Sequence, residues 1–259
     1  MARVVLQSPL GRGTDPNLNR EKVMKRLGFM LLLVAALAAP ATAGQVTFSG
    51  STYASGVGGE FTFTVLSGLD ISHYAMGTTS NVSNPPSFQT FCLEENEYIQ
   101  QGYTYNFGAL SDSAMQGGVG GPSPDPISIG TAWLYSQFAQ GTLAGYNYGA
   151  DRTTSAGLLQ NAIWWLENEG GGAPNSFVAA AETALGLTDI TVKLDAGTNN
   201  YGVYALNLQN VDGEGCADGN YPGPNCQSQL VYVPDGGTTL MLLGGALMGL
   251  GALRRKFRL

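Results

Sequence analysis

Two uncharged runs bracket this chain and decide which part of it can fold in water. Residues 27–39 follow Met24-Lys25-Arg26, and residues 238–253 precede Arg254, Arg255, Lys256 and Arg258. Apolar runs with basic residues against one end are built to meet a membrane or its translocation machinery, so a water-soluble fold is confined to the stretch between them. The first run has the three parts of a secretory signal peptide: a positive start, an apolar centre and a small-residue site, Ala41-Thr42-Ala43. Cleavage is expected between Ala43 and Gly44, by signal peptidase after passage through the Sec translocon. Residues 1–23 precede that signal without periodicity, and Glu21-Lys22 can be encoded only by purine-rich codons. A ribosome-binding site would sit there, so translation is expected to start at Met24, with 1–23 a mis-called upstream extension.

Charge separates the same three zones. Of 12 Lys and Arg, six lie before residue 27 and four at 254–258, leaving Arg152 and Lys193 in the body. Residues 44–235 hold 17 acids against those two cations, a net charge of −15. Nucleic-acid binding needs the opposite sign and is excluded. About 190 residues suffice for one sizeable core.

The pattern of the body predicts an α+β domain: β-rich, with strands at both ends and an inserted helical segment. Val46 and Phe48, then Phe61, Phe63 and Val65, recur with period two around Gly56-Val57-Gly58-Gly59, which reads as a hairpin turn. A second hairpin is expected from 190–194 and 203–208, split at 196–200, and a last strand from 229–233. Helices are expected over 129–138, 153–169 and 177–185, with 117–126 a Gly/Pro loop.

Few residues invite chemistry. His73 is the single histidine, which leaves no ordinary zinc site or Ser-His-Asp triad. Glu94, Glu95, Glu97, Glu167 and Glu169 are acids of the type used in glycoside hydrolysis, at no fixed separation. Asp212, Glu214 and Asp218 are loosely calcium-like but lack the spacing of a defined loop. No metal or cofactor is called for. Cys216 and Cys226 flank a Gly/Pro-rich loop and are expected to form a local disulfide outside the cell, which leaves Cys92 unpaired.

The tail, 231–259, resembles the PEP-CTERM sorting signal, closest to the variant that reads Val-Pro-Asp-Ser-Gly. Val233, Pro234, Asp235 and Gly237 match it, with Gly236 in place of serine; the hydrophobic helix expected over 238–253 and the basic cluster follow in order. At 16 residues that helix would rise about 24 Å, short of a hydrocarbon core of about 30 Å. The resemblance implies recognition by an exosortase, a membrane-embedded protease, after transient anchoring in the inner membrane, and delivery to the envelope or an extracellular matrix.

Within the body, Phe91-Cys92 and, downstream, Gln160, Ala162, Ile163 and Trp164 resemble the two motifs of the thioester domains of bacterial surface adhesins. Leu159 departs from the threonine usual there, and the likeness extends over about 88–210. It implies that Cys92 attacks the Gln160 carboxamide, expels ammonia and leaves a Cys–Gln thioester for an amine on a partner, with Phe91, Trp164, Trp165, Tyr103 and Tyr105 excluding water. Such a chain is a non-enzymatic surface protein, attached to an amine-bearing surface protein or a matrix polysaccharide. A passive biofilm-matrix protein and a secreted glycosidase are the alternatives.

Overall fold

The alternation at both ends of the first predicted hairpin becomes a pair of antiparallel strands. The computed structural model describes residues 43–56, 58–81, 83–195, 198–211, 216 and 225–234. Strand β1 (Gly44–Gly50) pairs with β2 (Phe61–Ser67), bringing Phe48 opposite Phe63 and Val46 opposite Val65. The six-stranded antiparallel sheet continues through β4 (Ser87–Thr90) to β3 (Ser80–Asn81) on one side. On the other it runs through β5 (Thr104–Phe107) to β9 (Leu208–Asn210). Period two turns Val46, Phe48, Phe61, Phe63, Phe88 and Tyr105 to one buried face. The other face is polar, where Thr47 meets Thr104 at 2.9 Å and Gln45 meets Asn106 at 2.9 Å. Between ring centres, Phe48 lies 5.1 Å from Phe61 and 5.3 Å from Phe63. Each phenylalanine buried in this way contributes about 1.5–3 kcal/mol.

Two small pairs complete the β structure: β8 (Val203–Leu206) with β10 (Gln229–Tyr232), and β6 (Ser113–Ala114) with β7 (Asp125–Pro126). The expected last strand is therefore present as β10. The expected second hairpin is not. Residues 190–194 spend their backbone groups on the entry and first residues of the first helix: Ile129 N–H donates to Val192 O, Gly130 N–H to Ile190 O, and Leu194 N–H to Ile127 O. Residues 203–206 pair with β10 instead.

The three expected helices are α1 (Ile129–Ala139), α2 (Arg152–Leu166) and α3 (Ser176–Leu185). Ser128 caps α1 by accepting from Thr131 N–H, and Asn175 caps α3 by accepting from Phe177 N–H. Gly186 ends α3 with φ 65°, the left-handed conformation that a side chain disfavours. Helix α1 is apolar on most sides because it is central: it touches α2, α3, β8 and β10. Its Tyr135 hydroxyl donates to Gln89 O at 2.9 Å, and its Phe138 ring lies 4.9 Å from Phe91, tying the helix to β4 and the residues after it. The fold is thus mixed and mostly β, with a helical segment inserted between strands. Among the described residues no helix is long and apolar enough to cross a membrane. The hydrophobic stretch 238–253, the signal segment 24–42, the motif residues 235–237 and the basic cluster lie outside the described residues. The first strand begins at Gly44, the residue expected to follow signal cleavage.

Candidate functional site

Where β4 ends, the chain continues extended, and Cys92 forms an antiparallel bridge with Gln229 at the start of β10. Opposite it runs α2, whose buried face carries Arg152, Ala156, Gln160 and Trp164 at four-residue intervals. The two residues that the motifs single out, 68 apart in sequence, meet here. Cys92 Sγ is 3.2 Å from Gln160 Oε1, and Gln160 Nε2 donates to Cys92 O at 2.9 Å. One C=O bond separates that oxygen from the carboxamide carbon, so the carbon is no more than about 4.4 Å from the sulfur.

Two backbone amides converge on the same oxygen: Gly59 N–H donates to Gln160 Oε1 at 3.0 Å and Cys92 N–H at 3.3 Å. This is the geometry that holds negative charge on a carbonyl oxygen under attack. Gly59 belongs to the connection between β1 and β2, residues 51–60, which lies along α2. The connection can lie so close only because Gly58 has no side chain: a Cβ there would stand 2.5 Å from Gln160 Cγ and 3.0 Å from the Trp164 ring. Ser55 packs against Gly157 in the same way. At the end of the connection Glu60, fully buried, accepts from Arg152 Nε at 3.0 and 2.9 Å and from the Tyr146 hydroxyl. Arg152 Nη2 also donates to Thr78 O at 2.6 Å, and the guanidinium lies 4.4 Å over the Tyr53 ring, within cation–π range.

Cys92 and Gln160 are 0 % and 1 % exposed. Burial, and then the Glu94 carboxyl, push the Cys92 thiol well above its ordinary pKa; the amides of Gly59 and Cys92 and the Trp164 indole act the other way. The resting group is therefore a thiol. Glu94 is itself pushed up by burial and by Glu97; its Oε2 accepts from Ser228 N–H at 3.2 Å, and its buried Oε1 has no hydrogen bond. The Trp164 Nε1, also buried, makes no aligned hydrogen bond.

Phe91 and Trp164 are buried, and Ala162 and Ile163 are fully buried on α2. Tyr105 is a β5 residue whose hydroxyl donates to Gln100 O, and Tyr103 immediately precedes that strand. Trp165 is partly buried against the core. Cys216 and Cys226 form the expected disulfide, with Cα atoms 5.2 Å apart, and Cys92 is a free, buried thiol. Three of the acids read as glycosidase candidates, Glu95, Glu167 and Glu169, are engaged locally. Glu169 accepts from Glu95 N–H and Val119 N–H, Glu95 from Gly171 N–H, and Glu167 from Ser128. His73 is exposed. Asp212, Glu214 and Asp218 lie outside the described residues, and among the described ones no His, Cys, Asp or Glu group is arranged to hold a metal.

Sequence reasoning missed three parts of the site. Gly58 and Gly59 read only as turn residues, and the Glu60 side of the Arg152 pair carried no local mark. The signal for the pair was the scarcity of cations, since one of only two in the body is buried against α2's own end.

A family model described as the VPDSG-CTERM motif matches residues 232–257. The chain therefore carries a PEP-CTERM-like sorting tail, which marks an exported protein sorted to the cell surface and implies processing by exosortase-type machinery. The match covers the tail alone. No curated protein and no solved structure matches the chain significantly.

Proposed function

We propose that this chain is a non-enzymatic surface or matrix protein whose body forms an internal thioester between Cys92 and Gln160 and uses it once, to attach covalently to an amine-bearing partner. One observation carries this reading: the Cys92 sulfur lies against the Gln160 carboxamide while two backbone amides donate to that carboxamide's oxygen. Sulfur attacks the carbon, and the charge that develops on Oε1 is met by the Gly59 and Cys92 N–H groups. The carbon–nitrogen bond then breaks. The nitrogen of Gln160, already directed at Cys92 O, takes up the thiol proton and leaves as ammonia. A partner amine later displaces the sulfur and leaves a stable amide on Gln160. The partner is a surface protein or an aminated matrix polysaccharide. The exosortase step follows transient anchoring of the tail in the inner membrane and brings the body to the envelope surface.

The test is the intact mass of the natively purified body. It should be lighter by one ammonia than the sequence requires, and methylamine should restore one methylamine's mass. Cys92→Ala should show neither change. An unchanged native mass would overturn the thioester and leave a passive matrix protein delivered by the same signals. The glycosidase reading has less support, because Glu167 and Glu169 serve as acceptors for backbone and neighbouring side chains.

A further inference from the structure

The second cation of the body, Lys193, sits in a constellation that the thioester does not use. An isolated bridge pairs Lys193 with Ser128, and Leu194 N–H donates to Ile127 O at 2.7 Å, so the lysine is laid across the entry to α1. Its Nζ is 2.7 Å from Glu167 Oε2, 3.3 Å from Asp125 Oδ1 and 3.4 Å from Asp125 Oδ2. Near-equal distances to both oxygens bring Nζ to within about 3.8 Å of the Asp125 carboxyl carbon, close to the contact from which bonds form. The two acids are buried, 5 % and 4 % exposed as side chains, while the lysine side chain is 31 % exposed. Glu167 is anchored through its other oxygen, which accepts from Ser128 N–H at 3.0 Å and Ser128 Oγ at 2.7 Å. Oε2 is thereby held at the amine. Asp125 Oδ1 is buried and makes no aligned hydrogen bond, although Nζ is beside it.

An ordinary ion pair with Glu167 uses the single charge of Lys193, so the second buried carboxylate, Asp125, has no counter-charge of its own. Burial pushes the Asp125 carboxyl up to about 6, with Lys193 opposing and Glu167 adding to the rise. Burial pulls the Lys193 amine down, but Glu167 and Asp125 outweigh it and hold it up. Moving one proton from Nζ to Asp125 turns this ionic pair into a neutral amine facing a neutral acid.

We propose that Lys193 Nζ and Asp125 Cγ condense to an intramolecular amide, with Glu167 transferring the proton. The amine lone pair forms the N–C bond. Glu167 Oε2 accepts a proton from Nζ and passes it to the hydroxyl of Asp125, whose C–O bond breaks. One amide and one water result, with no oxidant or outside reagent. The cross-link joins residues 68 apart and ties the β6–β7 pair to the segment that follows α3.

Denatured intact mass and fragment sequencing test this on the full mature chain. The expected result is a loss of one water in addition to the ammonia lost at the thioester, with the peptides containing Asp125 and Lys193 recovered as one branched species. Lys193→Arg keeps the cation and its ion pairs but has no amine that can be acylated, and should regain the mass of that water. Glu167→Gln should lose most of the branched species. Cys92→Ala should retain it, which separates this bond from the thioester. Recovery of the two peptides only as separate species from the natively folded protein would overturn the proposal. So would a water loss that persists in Lys193→Arg.

Discussion

Gly58 shows what one missing side chain permits. It brings the connection before β2 down onto Gln160, and the next residue then places its N–H on the carboxamide oxygen. Gly58→Ala puts a methyl 2.5 Å from Gln160 Cγ, so either the connection lifts or the glutamine turns away. The variant is expected to lose about 1–3 kcal/mol of stability from overpacking and to lose the ammonia deficit with it. Urea unfolding and intact mass on one preparation check both; a stable variant that still loses ammonia would show that the close approach is dispensable. At this scale the contact between Cys92 and Gln160 was legible in the sequence, because two short motifs singled out both residues. Gly59 was not legible. Its contact with Gln160 spans 101 residues, and a run of glycines signals a turn whatever the turn rests upon.

Helix α2 is the element on which the site is assembled, and Arg152 fixes its position. The guanidinium binds Glu60 from the end of the 51–60 connection, Thr78 O from the segment before β3, and the face of Tyr53. Arg152→Ala leaves the Glu60 carboxylate buried without its counter-charge. That change is expected to cost about 3–5 kcal/mol by thermal or urea unfolding. Arg152→Lys should recover only part of the loss, since an ammonium cannot reproduce the paired contacts of the planar fork. The existence of the helices and their approximate ends followed from apolar spacing. The pairing of 190–194 did not follow. The alternation expects Ile190, Val192 and Leu194 on one inward face, but only Ile190 and Leu194 are buried and Val192 is exposed. It carries no information on which backbone the segment bonds, and here that partner is the chain entering α1.

For the whole molecule, the sorting tail was the most legible part, because an apolar run and a basic cluster are written directly in composition. The body's topology was less so, since β5 pairs with β9 and β8 with β10 across long stretches of chain. The motif in the tail should be what the processing machinery reads. Replacing Pro234 and Asp235 with alanine in an exosortase-bearing host is expected to leave the precursor uncleaved while the body unfolds at an unchanged temperature. Immunoblotting for precursor and product, with a melting curve of the purified chain, checks this; normal processing would show that the match at 232–257 does not mark the recognised segment. The motif nevertheless begins before the fold has ended. Val233 N–H donates to Gly202 O at 2.7 Å, and a Cβ on Gly202 would stand 2.7 Å from Pro234 Cα. A protease that grips its substrate as an extended strand must therefore compete with Gly202 for the same N–H, so the body's own last hydrogen bond sets a threshold on how readily the chain is cut loose.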